Sequence, residues 1–167
     1  MSKKLVGKLV EFKLPKFFVY GICTHSEGTQ GEIVRMLKGV HHAQNKETGS
    51  TLCSGEHFTT IRFPLRYTHK EPEIQVVSDC NLSKADLIRP IFRSLGIAPA
   101  GEKPNGWWIV DGNDEKWVEA LTIEMASYPD DGLHNLLAIQ ELYENDLFPE
   151  SIELLSRGPL SFDPTKM

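Results

Sequence analysis

Apolar and polar residues alternate along the first forty positions in a way that is typical of β-strands. One parity of residues 6–14 is mostly apolar, and residues 17–23 are rich in aromatic and β-branched side chains. Residues 32–37 form a third such segment after a polar, glycine-bearing turn at 26–31. The pattern predicts a β-meander of three strands in a strongly bent sheet or small barrel.

Strand character returns further along the chain. Residues 58–65 and 74–77 predict two more short strands. Residues 107–110 are apolar on both parities, which predicts a strand covered on both faces. The Asp-Gly-Asn-Asp sequence at 111–114 indicates a hairpin turn, with residues 116–121 as the partner strand.

Helical spacing of apolar residues predicts the remaining elements. A stripe over 83–95 predicts a helix that either kinks at Pro90 or starts there. A second stripe predicts a longer helix that starts at 129–132, and a short helix is expected after Pro149. Thr122 is expected to cap a further short helical turn.

Strands that come mostly before helices indicate the α+β class. We expect one domain over residues 1–167, with a curved antiparallel sheet or an SH3-like, barrel-like β-core and C-terminal helices. The tail over 159–167 is expected to be loose. Residues 38–57 lack periodicity and predict a long polar loop, and such loops are commonly functional or mobile.

Charge and composition narrow the classes of function. The net charge is −5, and lysine and arginine are scattered rather than gathered in a stripe, which argues against nucleic-acid binding and suits a basic partner. No stretch is apolar enough for a membrane span. The N-terminal apolar run is broken at Gly7 and Lys8, which argues against export. Three cysteines, an odd and sparse count, argue against a disulfide scaffold and favour a cytoplasmic location.

Histidines and cysteines in and near the long loop raise a metal hypothesis. Cys53 and His57 have a Cys-x3-His spacing, and His41 and His42 lie close by in sequence. Zinc sites normally combine two closely spaced pairs of ligands, and the second pair is missing. We therefore predict no metal site and no cofactor.

For the other residue patterns that could indicate catalysis, a structural role explains the residues better than a catalytic one. Cys23 and His25 share one face of a strand, but a cysteine on such a strand is expected in the core. Asp111, Asp114 and Glu115 suit a turn. No catalytic residue is predicted. The alternative, a small hydrolase or metal-dependent enzyme around the 38–57 loop, stays open on the residues His25, His41, His42 and His57.

Three tryptophans fall on the two strands of the predicted hairpin. Cross-strand packing accounts for at least two of them, and an exposed one would suit a partner protein. We expect Trp108 to lie in the core, and Trp107 and Trp117 are the candidate binding residues.

Several stretches within residues 5–145 carry a family resemblance: Tyr20–His25, Gly31–Gly39, Arg89–Arg93, Trp107–Gly112 and Lys116–Trp117. Together they resemble a group of small bacterial proteins that are similar to the immunity proteins of polymorphic toxin systems, of the immunity protein 26 type. The resemblance implies an SH3-like or barrel-like β-core with helices and a neutralising interaction with a toxin. It assigns no functional residue. The sequence thus favours a non-enzymatic protein-interaction module with a basic partner, and homodimer formation stays open.

Overall fold

The computed structural model describes residues 4–44, 49–68 and 70–167. The chain divides into two compact units. The first unit comprises residues 1–88 and 133–144, and the second comprises residues 89–132 and 145–167. Over the described residues, eight strands form two antiparallel sheets, which confirms the α+β class.

The first unit contains a five-stranded antiparallel sheet in the order β4-β3-β2-β1-β5. The predicted meander is confirmed, and the fifth strand returns to pair with the first. The strands are β1 Lys8–Lys13, β2 Phe18–Ser26, β3 Glu32–Leu37, β4 His57–Phe63 and β5 Ile74–Asp79. The unit also holds the short helices α1 Gly49–Cys53 and α2 Leu65–Thr68.

Both faces of this sheet are covered within the first unit. On one face, Tyr143 of helix α4 (Leu136–Glu144) stacks on Phe58, and its hydroxyl donates to the Leu37 carbonyl. On the other face, a buried cluster includes Leu9 and Tyr20, and Leu52 from α1 packs against it. The 38–57 segment, predicted as a polar loop, therefore contributes a helical turn that covers the sheet. Residues 45–48 lie outside the described part.

The second unit contains a three-stranded antiparallel sheet in the order β6-β7-β8. The predicted hairpin is present as the second and third of these strands. The elements are β6 Phe92–Leu95, β7 Trp107–Asp111, β8 Asp114–Val118, α3 Ile123–Ala126 and α5 Ile152–Leu155. A buried apolar cluster in the unit contains Trp107, Ile109, Leu121, Ala126 and Leu155.

The predicted helix over 83–95 is wrong. Residues 84–87 form turns, and β6 begins at Phe92 and pairs with Val110 of β7. Ser83 and Asp86 bond to each other's backbone N–H groups, which closes a local turn. Pro90 has no N–H to continue a helix, so the chain extends into the sheet instead.

The other helical predictions are confirmed in type but not in every bound. Thr122 caps α3 by accepting a hydrogen bond from the Met125 N–H. Helix α4 starts at Leu136 rather than at 129–132, because the Asn135 side chain accepts from the Ala138 N–H and caps it there. In the tail that we expected to be loose, Phe162 packs edge-on against Trp107.

Candidate functional site

Three histidines of the enzyme hypothesis, His25, His41 and His57, have separate contacts in the first unit. The His25 ring nitrogens lie 2.9 Å from Thr24 Oγ1 and 3.0 Å from the Leu87 carbonyl oxygen. The rings of His41 and Tyr20 meet edge to face at 5.0 Å, and His42 is exposed. Across the described ranges, no group of three histidine, cysteine or carboxylate side chains is placed to hold a metal ion.

Cys23 is a core residue and not an activated nucleophile. Its side chain is fully buried, and its thiol donates to the backbone carbonyl of His25 rather than meeting the imidazole. Burial, and secondarily the nearby Glu32 carboxylate, raise the pKa of the Cys23 thiol to about 12. Because the thiolate is the reactive form, this thiol is inert at neutral pH. The prediction of a core cysteine is confirmed.

Cys53 and Cys80 form a disulfide, which the odd cysteine count did not predict. Their Cα atoms are 5.5 Å apart, and the bond joins the end of α1 to the residue after β5. Cys53 is therefore paired with a cysteine and not with His57, which removes the basis of the Cys-x3-His metal hypothesis.

A thiol reagent is expected to detect no reactive thiol in the native, oxidised protein. After reduction under native conditions two thiols, those of Cys53 and Cys80, should react, because both side chains are half-exposed. The third, Cys23, should react only after unfolding, since it is buried. If two thiols react rapidly before any reductant is added, the disulfide is absent. The variant Cys23→Ser is the control, because it leaves the Cys53–Cys80 pair intact.

A buried polar group lies beneath the 38–57 segment. Glu11 is buried on β1, and its carboxylate accepts hydrogen bonds from the Tyr20 hydroxyl at 2.7 Å and from the Gln44 amide at 3.1 Å. Each carboxylate oxygen thus has a donor. We interpret this network as an anchor that holds residue 44 on the sheet.

The charged side chains of Arg35 and Asp86 lie near His57. The Arg35 Nε lies 3.3 Å from an Asp86 carboxylate oxygen, and the His57 Nε2 lies 3.1 Å from Thr60 Oγ1. Although part of the His57 side chain reaches solvent, desolvation and then the Arg35 charge lower its pKa. The imidazole is therefore neutral at physiological pH.

The lowered pKa of His57 predicts a loss of stability in mild acid. Below the ordinary histidine pKa of about 6.5 the unfolded chain binds a proton more readily than the folded chain does, so stability falls as the pH decreases. Urea denaturation at a series of pH values from about 7.5 to 5 measures the free energy of unfolding as a function of pH. His57→Gln should reduce the slope of stability against pH. Equal slopes for the two proteins would contradict the assignment.

The tryptophans of the second unit are arranged differently from the prediction. Trp107, a candidate binding residue, is 2% exposed and packs in the core, whereas Trp108, expected in the core, is 39% exposed. Adjacent residues of β7 face opposite sides of the sheet, so only one of them can face the core. Trp117 is half-buried and lies opposite Trp108 in the strand register.

Trp117 packs against the backbone of two glycines. A Cβ at Gly96 or at Gly106 would come within 2.4 Å of atoms of its six-membered ring, so the ring requires glycine at both positions. Trp108 packs against it with ring centroids 5.2 Å apart and planes at 66°. We call these two rings with the two glycines the tryptophan platform.

Acidic residues follow closely on the platform in sequence, at the turn and on the second strand of the hairpin and just after it. Asp111, Asp114, Glu115 and Glu119 are all exposed, and Lys116 is the one basic residue within 111–119. Glu115 pairs with Val110, the next pair on the face that carries Trp108 and Trp117. The platform is therefore an exposed aromatic surface in a negative field.

A concave apolar surface in the first unit is the other candidate. Its cavity has a volume of about 320 Å³, at the lower end for ligand sites. The lining residues are Lys13, Leu14, Pro15, Pro72, Glu73, Leu136, Leu137 and Gln140. None of them is aromatic, and the polar ones, Lys13, Glu73 and Gln140, reach solvent.

No protein-family model, curated protein or solved structure matches this chain. In the described part of the chain, no helix has both the length and the apolar character needed to cross a membrane.

Proposed function

We propose that this chain is a non-enzymatic protein-interaction module that binds its partner through the tryptophan platform of the second unit. The exposure of Trp108 carries the proposal. A tryptophan that is 39% exposed on a sheet face leaves apolar surface in water, and binding would bury it. Tryptophan is also among the residues most enriched at the energetic centres of protein interfaces.

The rigidity of the platform supports this assignment. The Trp117 ring is packed against Gly96 and Gly106, and its centroid lies 5.2 Å from that of the Trp108 ring. Little side-chain freedom is therefore left to lose on binding. An ordered surface avoids part of the entropic cost that association otherwise carries.

Charge indicates the class of partner. The chain has a net charge of −5, and residues 111–119 carry four carboxylates against one lysine. A basic protein would be attracted and oriented by this field. Together with the resemblance to immunity proteins, the charge leads us to propose a basic toxin as the partner and neutralisation by binding as the activity.

We also propose that the five strands of the first unit form a partly open, SH3-like barrel. The fifth strand returns to the first, and the pairing register shifts at Leu9/Val10, Cys23/His25 and Met36/Leu37. Such irregularities bend a sheet toward closure. Slow hydrogen exchange of the backbone amides on the outer edges of β4 and β5 would support closure of the barrel. A solution structure in which both edges are open would contradict it.

Selection from a random peptide library tests the binding proposal, because the selected peptides themselves reveal which chemistry the platform binds. The wild-type protein should enrich basic peptides, and Trp108→Ala should enrich none of them. Leu160→Ala is the matched control, because Leu160 is an exposed apolar residue of the same unit outside the platform. Enrichment of the same peptides by the wild type and by Trp108→Ala, or of none by either, would contradict the proposal.

A further inference from the structure

We infer that the tryptophan platform accepts an arginine side chain of the partner, which stacks on the indoles and pairs with Glu115. The inference rests on the proposed function, because it identifies the group that the same surface would bind. Three features of the second unit lead to it: the position of the indoles, the position of the Glu115 carboxylate, and the combination of the two on one face of the sheet.

The first feature is the accessible side of the aromatic pair. The six-membered ring of Trp117 packs against Gly96 and Gly106, so its remaining exposure is on the side away from these glycines. The planes of the Trp108 and Trp117 rings meet at 66° with their centroids 5.2 Å apart, and the two rings form an aromatic corner. A flat cation fits against such rings, because their faces carry negative electrostatic potential.

The second feature is the position of Glu115. It precedes Trp117 by two residues on β8, so both side chains leave the same face of the sheet. Glu115 is exposed, and within the described ranges no lysine, arginine or histidine nitrogen is placed within 4 Å of its carboxylate. The carboxylate is therefore available to a cation that lies on Trp117.

The third feature is the combination of a flat aromatic surface with a carboxylate beside it. A guanidinium group is planar, stacks on aromatic rings and donates two parallel hydrogen bonds to a carboxylate. A lysine ammonium is compact and strongly hydrated, so it forms the ion pair without the stacking. The platform thus favours arginine over lysine, and Asp111 and Asp114 add attraction for a basic segment.

Hexa-arginine, hexa-lysine and hexa-citrulline peptides are the probes, with binding followed by tryptophan fluorescence at fixed ionic strength. Wild type should bind hexa-arginine at least about tenfold more tightly than hexa-lysine, and should not bind hexa-citrulline measurably. Trp108→Ala and Glu115→Gln should each weaken hexa-arginine binding by about tenfold, and Leu160→Ala should leave it unchanged.

Gly96→Ala removes no functional group and tests the geometry. Its Cβ would displace the Trp117 ring, so hexa-arginine binding should weaken while melting curves still show a folded protein. Equal affinity for hexa-arginine and hexa-lysine, no effect of Glu115→Gln, or no binding of hexa-arginine at all would overturn the arginine inference. If selected peptides still depend on Trp108, the interaction proposal survives that result. If no peptide depends on Trp108, both fail.

Discussion

Trp107→Ala is expected to lower the free energy of unfolding of the second unit by about 3–5 kcal/mol. The Trp107 ring is 2% exposed, meets Phe162 edge to face at 4.9 Å, and lies so close to Gly158 that a Cβ there would come within 2.3 Å of the ring. Its removal leaves a cavity that the surrounding backbone cannot close cheaply. Because all three tryptophans lie in the second unit, tryptophan fluorescence in denaturant reports on that unit.

Trp108→Ala is the matched comparison, since it removes the same side chain from the adjacent position. Its ring is 39% exposed, and its contact with Trp117 is the main packing lost, so a cost of about 1 kcal/mol is expected. If the two variants had equal stability, or if Trp108→Ala were the less stable one, the assignment of inward and outward faces of β7 would be incorrect.

Arg93→Met should destabilise the second unit by about 3 kcal/mol. Arg93 is buried on β6, and its guanidinium donates to the backbone carbonyls of Ala126 and Pro149. Methionine preserves much of the volume and removes the donors, so two carbonyl groups lose their partner away from water. Burial also lowers the pKa of Arg93, because it removes the charged guanidinium from water.

Lys116→Met is the control for Arg93→Met, because it removes a cation from an exposed position of the same sheet. Denaturant midpoints of the two variants and the wild type give the comparison. If Arg93→Met unfolded at the same denaturant concentration as Lys116→Met, the two carbonyl contacts would contribute nothing to stability.

The hairpin could be predicted from the sequence, but the direction of its tryptophans could not. The turn at 111–114 and the apolar residues before it indicate two paired strands. Since both parities of 107–110 are apolar, hydrophobicity does not reveal which parity faces the core. The signal that was available is the set of glycines: Gly96 and Gly106 mark where Trp117 lies, and Gly158 marks Trp107.

In the first unit, too, some features could be predicted from the sequence and others could not. Alternation within 6–37 specified the meander, because strand pairing there follows directly from sequence neighbours. The Cys53–Cys80 bond depends on the return of β5 to β1, a long-range pairing that no local pattern encodes. The apolar stripe at 83–95 had helical spacing, but Pro90 and the pairing of β6 with β7 outweighed it.

The indole N–H signals of the three tryptophans in a ¹⁵N–¹H correlation spectrum reveal which tryptophans a bound peptide touches. The protein is titrated with the basic peptide that the library selects, and each indole signal is assigned by substitution with phenylalanine. We predict that the Trp108 and Trp117 signals shift and saturate with the peptide while the buried Trp107 signal stays in place. A peptide that binds without moving the Trp108 signal would show that the tryptophan platform is not the binding surface.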